Sequence, residues 1–182
     1  MIYLWIGLGV VAGLAALLGA FVLVMREIGK KIPLEHQAMS MIEIHAPIEK
    51  VFDAIADVQK HPEWSKGVSR VDVLPDHNGM QTVRMRQGHN SFVLVRTRFE
   101  PPTLLERTIS DDRGPFSGTW LYKLKRTGGE VCEVRLTETG KVPWPAARAM
   151  MKYIFGYHAY TSRHLRDLAG KFEPNPGKAH RG

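Results

Sequence analysis

The first 25 residues carry no charged side chain and read MIYLWIGLGVVAGLAALLGAFVLVM. A helix of this length extends roughly 35 Å at about 1.5 Å per residue, enough to cross a hydrocarbon layer of about 30 Å. A helix that is apolar on every side is suited to lipid rather than water. A cleaved signal peptide is the alternative, but it would have a basic start, a shorter apolar stretch and small residues at its end. The sequence therefore predicts one transmembrane helix over residues 1–25.

The charges beside this segment predict its orientation. Arg26, Lys30 and Lys31 follow the apolar stretch, and no basic side chain precedes it. Because basic flanks remain in the cytoplasm, we expect a single-pass membrane protein whose soluble part is cytoplasmic. Cys132 is the only cysteine, so no internal disulfide can form, which suits a reducing compartment.

The net charge of +7 belongs to the part of the chain that follows Met25. Such a part would be attracted to an anionic lipid surface. Nucleic acid is the other usual partner of a basic protein. No nucleic-acid motif is present and no basic run exceeds a dipeptide, so nucleic acid is not an expected partner. A solubilising excess of lysine and arginine explains the charge equally well.

The rest of the chain divides into a linker, one domain and a tail. Residues 26–36 are interpreted as a juxtamembrane linker, in which Pro33 interrupts any continuing helix. Residues 173–182 contain two prolines and two glycines without an apolar anchor, so a disordered tail is expected. Residues 37–172 have the length of one ordinary domain.

Alternating apolar and polar residues predict a sheet in this domain. The predicted strands cover residues 39–45, 68–74, 81–87, 92–100, 104–110, 119–125 and 131–139, separated by turns such as 111–114. Connections this short force antiparallel neighbours. On the fourth predicted strand the alternation places Val95 and Phe99 on the buried face and Arg96 and Arg98 on the wet face.

Helical spacing predicts three helical segments. A short helix covers residues 47–57, with Val51, Phe52 and Ile55 on its apolar face, and a second turn follows at 61–64. One long helix is predicted over residues 145–172. A sheet around this helix gives an α+β domain with an apolar space between the two.

The segment IHAPIEKVFDAIADVQKHPEW, residues 44–64, resembles the opening of START-like (SRPBCC) domains, most closely the polyketide cyclase/dehydrase branch. The resemblance rests on a strand, Ala-Pro, a helix with Val-Phe, an aspartate and then Pro-x-Trp. It implies a helix-grip fold, in which a seven-stranded antiparallel sheet wraps around the C-terminal helix. It also implies a cavity for sterols, lipids, hormones, polyketides or other apolar molecules, used in some members for cyclisation or dehydration and in many for binding alone.

The ligand cavity is predicted where inward-pointing strand residues face the long helix. Trp64 would line the mouth of the cavity or pin the short helix onto the sheet, and both interpretations make it buried. Arg107 shares its inward parity with Leu105 and Ile109, so it is a candidate polar group inside. The full predicted set is Trp64, Met85, Val95, Phe99, Arg107, Trp120, Tyr122, Val134, Met150, Ile154, Tyr157 and His158.

Other chemistry finds little support in the sequence. His158 and His164 are six residues apart and cannot share a metal as an i, i+4 pair would, so no metal site or cofactor is expected. Cys132 has the parity of a buried structural cysteine. No acid–base pair or nucleophile motif is recognisable, and catalytic residues stay unassigned.

Three functions remain open. The leading hypothesis is membrane-anchored binding, for transport or sensing, of an apolar small molecule or lipid. The first alternative is a cyclase or dehydratase acting on an apolar substrate. The second is a protein-interaction module without ligand, using a basic outer sheet face that would carry Arg84, Arg86, Arg96, Arg98, Lys123, Lys125 and Arg135.

Small residues in the apolar segment indicate a weak homodimer contact. Gly9 and Gly13 are spaced as GxxxG, and Ala12, Ala16 and Ala20 continue a ridge of small residues. Such ridges let two membrane helices approach closely.

Overall fold

The computed structural model describes residues 2–111 and 116–181. The chain forms two compact units: a helical unit, residues 1–34 and 142–156, and a sheet unit, residues 35–141 and 157–182. The predicted turn at 111–114 lies outside the described residues except for Asp111.

In chain order the elements are α1 (Ile2–Lys30), β1 (Glu35–Ile44), α2 (Ile48–Ala56), a 3₁₀ turn (Val58–Lys60), α3 (His61–Trp64), β2 (Val68–His77), β3 (Met80–Gln87), β4 (Asn90–Glu100), β5 (Leu104–Asp111), β6 (Ser117–Gly128), β7 (Val131–Lys141), α4 (Pro145–Met150), a π turn (Met151–Phe155), α5 (His158–Gly170) and β8 (His180–Arg181).

The helical unit contains α1, α4 and the π turn. Within the described residues, Trp5–Lys30 of α1 is the one helix long and apolar enough to cross a membrane, and its apolar window is fully unburied. The helix continues five residues beyond the predicted end at Met25. This segment could be a membrane anchor or a signal sequence.

The sheet unit contains one antiparallel sheet in the order β2-β3-β4-β5-β6-β7-β1-β8. The α+β architecture predicted from alternation is therefore confirmed, with an eighth strand added. That strand is short and pairs Arg181 with Ser40 and His180 with Met41, so part of the tail expected to be disordered is hydrogen-bonded to the sheet edge.

A bulge in β4 changes which of its side chains face the core. Leu94 is 1% exposed and pairs with the buried residues Val83 and Ile109, so it lies on the inner face. The next residue, Val95, is only half-buried and lies on the outer face of the sheet. The pairing shifts between Arg96 and Arg98, which returns Phe99 to the inner face. The inward placement of Val95 was therefore wrong, because one extra residue reverses side-chain parity.

The same bulge corrects the placement of Arg96. This residue lies directly opposite Arg107, and directly opposed residues on neighbouring strands project to the same face. Arg107 is buried against α2, so Arg96 belongs to the inner face and not to the basic outer face.

The predicted long helix 145–172 is not continuous. Helix α4 passes into the π turn, Gly156 adopts φ +76°, and α5 begins at His158. Glycine adopts this left-handed conformation without the strain that a Cβ would introduce. The helical spacing was regular across the break, so periodicity alone did not reveal it.

Helices α2 and α5 cover the inner sheet face. The predicted apolar residues Val51, Phe52 and Ile55 of α2 are all buried in the core. Helix α5 contacts β1 directly, with the Thr161 hydroxyl 2.8 Å from that of Ser40.

Candidate functional site

A buried arginine on β5 anchors the end of α2. The side chain of Arg107 is 2% exposed, and its guanidinium donates from Nη1 to the Ile55 carbonyl (3.2 Å) and from Nη2 to the Ala56 carbonyl (3.0 Å). Within the described part of the chain, no carboxylate pairs with it. Burial lowers the pKa of Arg107 to about 10, so the side chain keeps its charge at neutral pH.

A tyrosine–histidine pair joins the sheet to α5 beside this arginine. The Tyr122 hydroxyl of β6 lies 2.9 Å from Nε2 of His164, and both side chains are buried. Burial lowers the pKa of His164 to about 4, with a further contribution from the Arg107 charge. Burial also raises the pKa of Tyr122. At neutral pH the pair therefore consists of a neutral imidazole and an intact phenol.

A second histidine and a tryptophan, both on α3, lie on the other side of His164. The ring centroid of His61 is 5.9 Å from that of His164, and the centroid of Trp64 is 5.1 Å from it. His61 places Nε2 3.0 Å from the Ile55 carbonyl. Burial lowers the pKa of His61 well below its usual value, and the nearby His164 and Arg107 lower it further.

Three ring nitrogens in this cluster lack hydrogen-bond partners among the described residues: His61 Nδ1, Trp64 Nε1 and His164 Nδ1. The Ile55 carbonyl can only accept, so Nε2 of His61 carries the proton and Nδ1 of the neutral ring is an acceptor. The indole N–H of Trp64 is a donor. A hydroxyl group offers both complementary functions, so the cluster has the polarity to bind an alcohol, an enol or water.

Two further aromatic rings lie near the imidazole of His164. Trp120 and Tyr160 stack with centroids 5.0 Å apart, and both lie within 6 Å of the His164 ring. Apolar walls with a few buried polar groups are the usual composition of a small-molecule site.

A carboxylate extends this cluster along β7. Glu138 is 6% exposed and accepts a hydrogen bond of 3.0 Å from Trp120 Nε1. Its other oxygen is 3.7 Å from Nε2 of His36, whose ring stacks on Tyr157 with centroids 4.4 Å apart. The interior therefore holds a carboxylate and two further rings beyond the Arg107 cluster.

A surface groove of about 890 Å³ lies on the outer side of Trp64. Its walls come from α3, α5 and the tail, and the residues are Glu63, Trp64, Lys66, Arg163, Arg166, Asp167, Gly170, Lys171, Pro174 and Pro176. Trp64 lines this groove and also contacts the buried histidines. Its indole therefore lies between the groove and the polar cluster.

The family model for polyketide cyclase / dehydrase and lipid transport matches residues 44–162, more than half of the 182 residues. The chain belongs to this family. The START-like resemblance found in residues 44–64 is thereby confirmed.

Solved structures agree with this assignment at the level of fold. The Zhui aromatase/cyclase from a Streptomyces species has TM-score 0.63 and 16% identity, covering 75% of this chain and 93% of its own. A START superfamily protein from Mycobacterium smegmatis has TM-score 0.60 and 13% identity, covering 76% and 98%. A conserved protein from Geobacillus kaustophilus has TM-score 0.63 and 14% identity, covering 80% and 99%. A comparison with curated proteins finds no match.

The structure brings six of the twelve predicted cavity residues to the core of the sheet unit. These are Trp64, Met85, Arg107, Trp120, Tyr122 and Val134. Phe99 is on the inner face but 44% exposed, where its ring packs on Phe52. Tyr157 stacks on His36, and Nδ1 of His158 lies 3.0 Å from the Met39 carbonyl.

Three predicted cavity residues lie elsewhere. Val95 is on the opposite sheet face, as the β4 bulge requires. Met150 and Ile154 belong to the helical unit, where Ile154 is 51% exposed. Their inclusion depended on one unbroken helix 145–172, and the break at Gly156 removes that basis.

Sequence reasoning missed His61, His164, Glu138 and Tyr160 as members of the cluster. Two of them carried a usable signal. Glu138 has the parity of Val134 and Leu136, and His164 precedes Leu168 by one helical turn. His61 was assigned to a loop, and only the packing of α3 shows that it is buried. Among the described residues, no group of histidine, cysteine and carboxylate side chains could hold a metal ion.

Proposed function

We propose that the sheet unit binds an apolar small molecule or lipid that carries an acidic or carbonyl oxygen, and that α1 anchors it to a membrane with the sheet unit on the cytoplasmic side. The observation that carries the proposal is Arg107, a buried guanidinium that pairs with no carboxylate among the described residues. A buried cation is costly unless an anion or several acceptors compensate it.

Among the described residues, only some of the N–H groups of Arg107 have an acceptor. A guanidinium has five N–H groups, and two of them bond to the Ile55 and Ala56 carbonyls. The remaining donors suit a carboxylate, an enolate or a carbonyl oxygen. The surrounding Trp120, Tyr122 and Leu105 side chains supply apolar contact for the rest of the guest.

Entry would proceed past Trp64. This indole lies between the surface groove and the histidines, so a rotation of the side chain would connect the two. A guest hydroxyl would then meet the unpartnered His61 Nδ1 and Trp64 Nε1. Each buried polar atom left unpaired costs about 1–3 kcal/mol, so pairing favours the bound state.

The proposal is tested by native mass spectrometry of the full chain released from detergent micelles. The protein is incubated with oleate or with oleyl alcohol, which share one apolar tail and differ in the head group. We expect an excess of oleate adducts over alcohol adducts, because only the carboxylate pairs with Arg107. Any oleate attracted to Arg26, Lys30 and Lys31 at the end of α1 would add to this excess equally in every variant.

Two variants locate the effect. Arg107→Met should abolish the preference for oleate, whereas Arg98→Met, on an exposed arginine already paired with Glu100, should keep it. Equal retention of acid and alcohol by the wild-type chain would contradict the proposal.

A cyclase or dehydratase is the second candidate function, favoured by the Tyr122–His164 pair. A neutral imidazole bonded to a phenol can take a proton from one carbon or oxygen of a substrate and return it to another. The Zhui protein, a fold neighbour, is described as an aromatase/cyclase. Incubation with a poly-β-ketone thioester should then release water, and His164→Gln should stop that release while leaving oleate retention in place.

A further inference from the structure

The second part of the helical unit, residues 142–156, packs on the end of α1. Arg148 of α4 donates from Nε to the Gly29 carbonyl (3.1 Å) and from Nη1 to the carbonyls of Val142 (2.9 Å) and Pro143 (2.8 Å). The Val142 N–H donates to the Leu34 carbonyl at 3.0 Å. A Cβ on Gly29 would collide with the Pro145 backbone, so the two backbones are in direct contact.

This contact fixes the segment at a defined level along α1. Gly29 follows Met25, the last residue of the uncharged stretch, by four residues, which is about 6 Å of helix. If α1 spans a bilayer as proposed above, Gly29 lies where the helix leaves the hydrocarbon layer. Pro145 and Arg148, which contact Gly29, therefore lie at the level of the lipid head groups.

The same segment exposes large apolar side chains. Trp144 is 63% exposed, Tyr153 61%, Ile154 51% and Phe155 62%. An isolated exposed apolar residue needs no explanation, but four within one twelve-residue segment attached to α1 are more than water alone favours. Three of the four are aromatic, and tryptophan and tyrosine concentrate at membrane–water interfaces.

Cationic side chains accompany the aromatic ones. The ammonium of Lys152 lies 5.4 Å from the Tyr153 ring centroid. Arg26, Lys30 and Lys31 are at the same end of α1, with Lys30 paired to Glu27. A surface with aromatic rings beside lysines is complementary to the boundary between acyl chains and anionic head groups.

We propose that residues 142–156 are a second membrane contact, an interfacial segment whose Trp144, Tyr153, Ile154 and Phe155 insert into the lipid bilayer beside α1. The inference rests on the proposed membrane anchor. It identifies the bilayer as the occupant of this apolar patch, because Arg148 and Gly29 attach the patch to the membrane helix itself.

Spin labels on the full chain test this inference in vesicles of phosphatidylcholine and phosphatidylglycerol in equal parts. Single cysteines are introduced as Phe155→Cys and Ile154→Cys, with Val22→Cys as the bilayer reference and Glu130→Cys as the aqueous reference. Burial raises the pKa of the native Cys132 thiol to about 11, so it stays unlabelled at neutral pH, and the unsubstituted chain verifies this. Collisions of the spin label with oxygen, which concentrates in lipid, indicate a lipid environment. Collisions of the label with a water-soluble nickel chelate indicate an aqueous environment.

We expect a several-fold higher ratio of oxygen to nickel collisions at positions 155 and 154 than at 130, approaching the ratio at 22. A lipid signal at 22 with a water signal at 155 and 154 would overturn the interfacial segment and leave the anchor intact. A water signal at 22 would overturn the anchor and this inference together. Labels at 155 and 154 shielded from both reagents would show a second protein copy or a protein partner on the patch, which also overturns it.

Discussion

The buried side chain of Arg107 has a structural role, because it donates to the last carbonyls of α2. In the proposed function its other N–H groups bind the guest. Removing Arg107 takes a donor from the Ala56 carbonyl, at about 1–3 kcal/mol, while the Ile55 carbonyl keeps the His61 Nε2 donor; the substitution also relieves the cost of burying a cation.

Arg107→Met should therefore lower the free energy of unfolding by about 1–2 kcal/mol, since the two effects partly cancel. Urea unfolding of the full chain in detergent, followed by near-ultraviolet circular dichroism, measures this change. Arg98→Met serves as the surface control and should alter it by less than about 0.5 kcal/mol. A loss above about 4 kcal/mol would contradict this partial cancellation.

His164 makes stability depend on pH. Its pKa is about 4 in the folded protein, where burial disfavours the charged ring, and about 6.5 when unfolded. Between these values the unfolded state binds a proton that the folded state does not. The stabilisation is therefore complete above pH 6.5 and is lost as the pH falls toward 4.

The expected loss from this one group is on the order of 3 kcal/mol at pH 4, and His61 contributes in the same direction. Denaturant unfolding at a series of pH values should show that the free energy of unfolding depends less steeply on pH in His164→Gln than in the wild-type chain. The exposed His89→Gln should keep the full slope. An unchanged slope in His164→Gln would mean that the imidazole is not buried in solution.

At the scale of elements, the break between α4 and α5 depends on Gly156. Its φ of +76° is open to glycine and unfavourable for a β-branched residue. Gly156→Val should therefore cost about 1–2 kcal/mol of unfolding free energy. Gly170→Val is the matched control, because that glycine has no positive φ and open space around it. Equal thermal unfolding temperatures for the two variants would contradict this reading of the break.

The two wrong element predictions have local causes. In β4 one bulged residue between Arg96 and Arg98 reverses the parity, and a bulge is set by pairing with β5, which the β4 sequence alone does not show. In the last helix the apolar spacing continues through residues that belong to a different unit. Strands β1, β6 and β7 were predictable because buried and less buried side chains alternate along most of their length.

At the scale of the whole molecule, the sequence identified the family and the α+β architecture from a short motif and from alternation. It identified Arg107 and Tyr122 because inward parity along a strand needs no knowledge of the opposing surface, and Trp64 because it closes the Pro-x-Trp motif. It missed His61 and His164 because their burial depends on how α3 packs on α5. The two histidines are about 100 positions apart in the chain, so no local pattern indicates that contact.

Association of two copies is expected to depend on α1. Gly9 and Gly13 have open space where a Cβ would lie, so a second helix could approach this side closely. Cross-linking of the full chain in detergent should give a dimer band, and Gly13→Leu should weaken this band because it adds bulk to the small-residue ridge. The control Leu14→Gly removes bulk beside the ridge and should leave the band in place. Equal monomer signals for the wild-type chain and Gly13→Leu would remove the dimer contact.

Photo-cross-linking locates the proposed guest, which would bind at the cluster of Arg107, Tyr122 and His164 between the inner sheet face and α5. The full chain in vesicles is irradiated with a diazirine-bearing fatty acid, and the modified peptides are identified by mass spectrometry. We expect adducts in α3, β5 and β6, around Trp64, Arg107 and Tyr122, that excess oleate displaces. Adducts confined to α1 and residues 142–156 would contradict the account, because the fatty acid would then be reporting the bilayer alone.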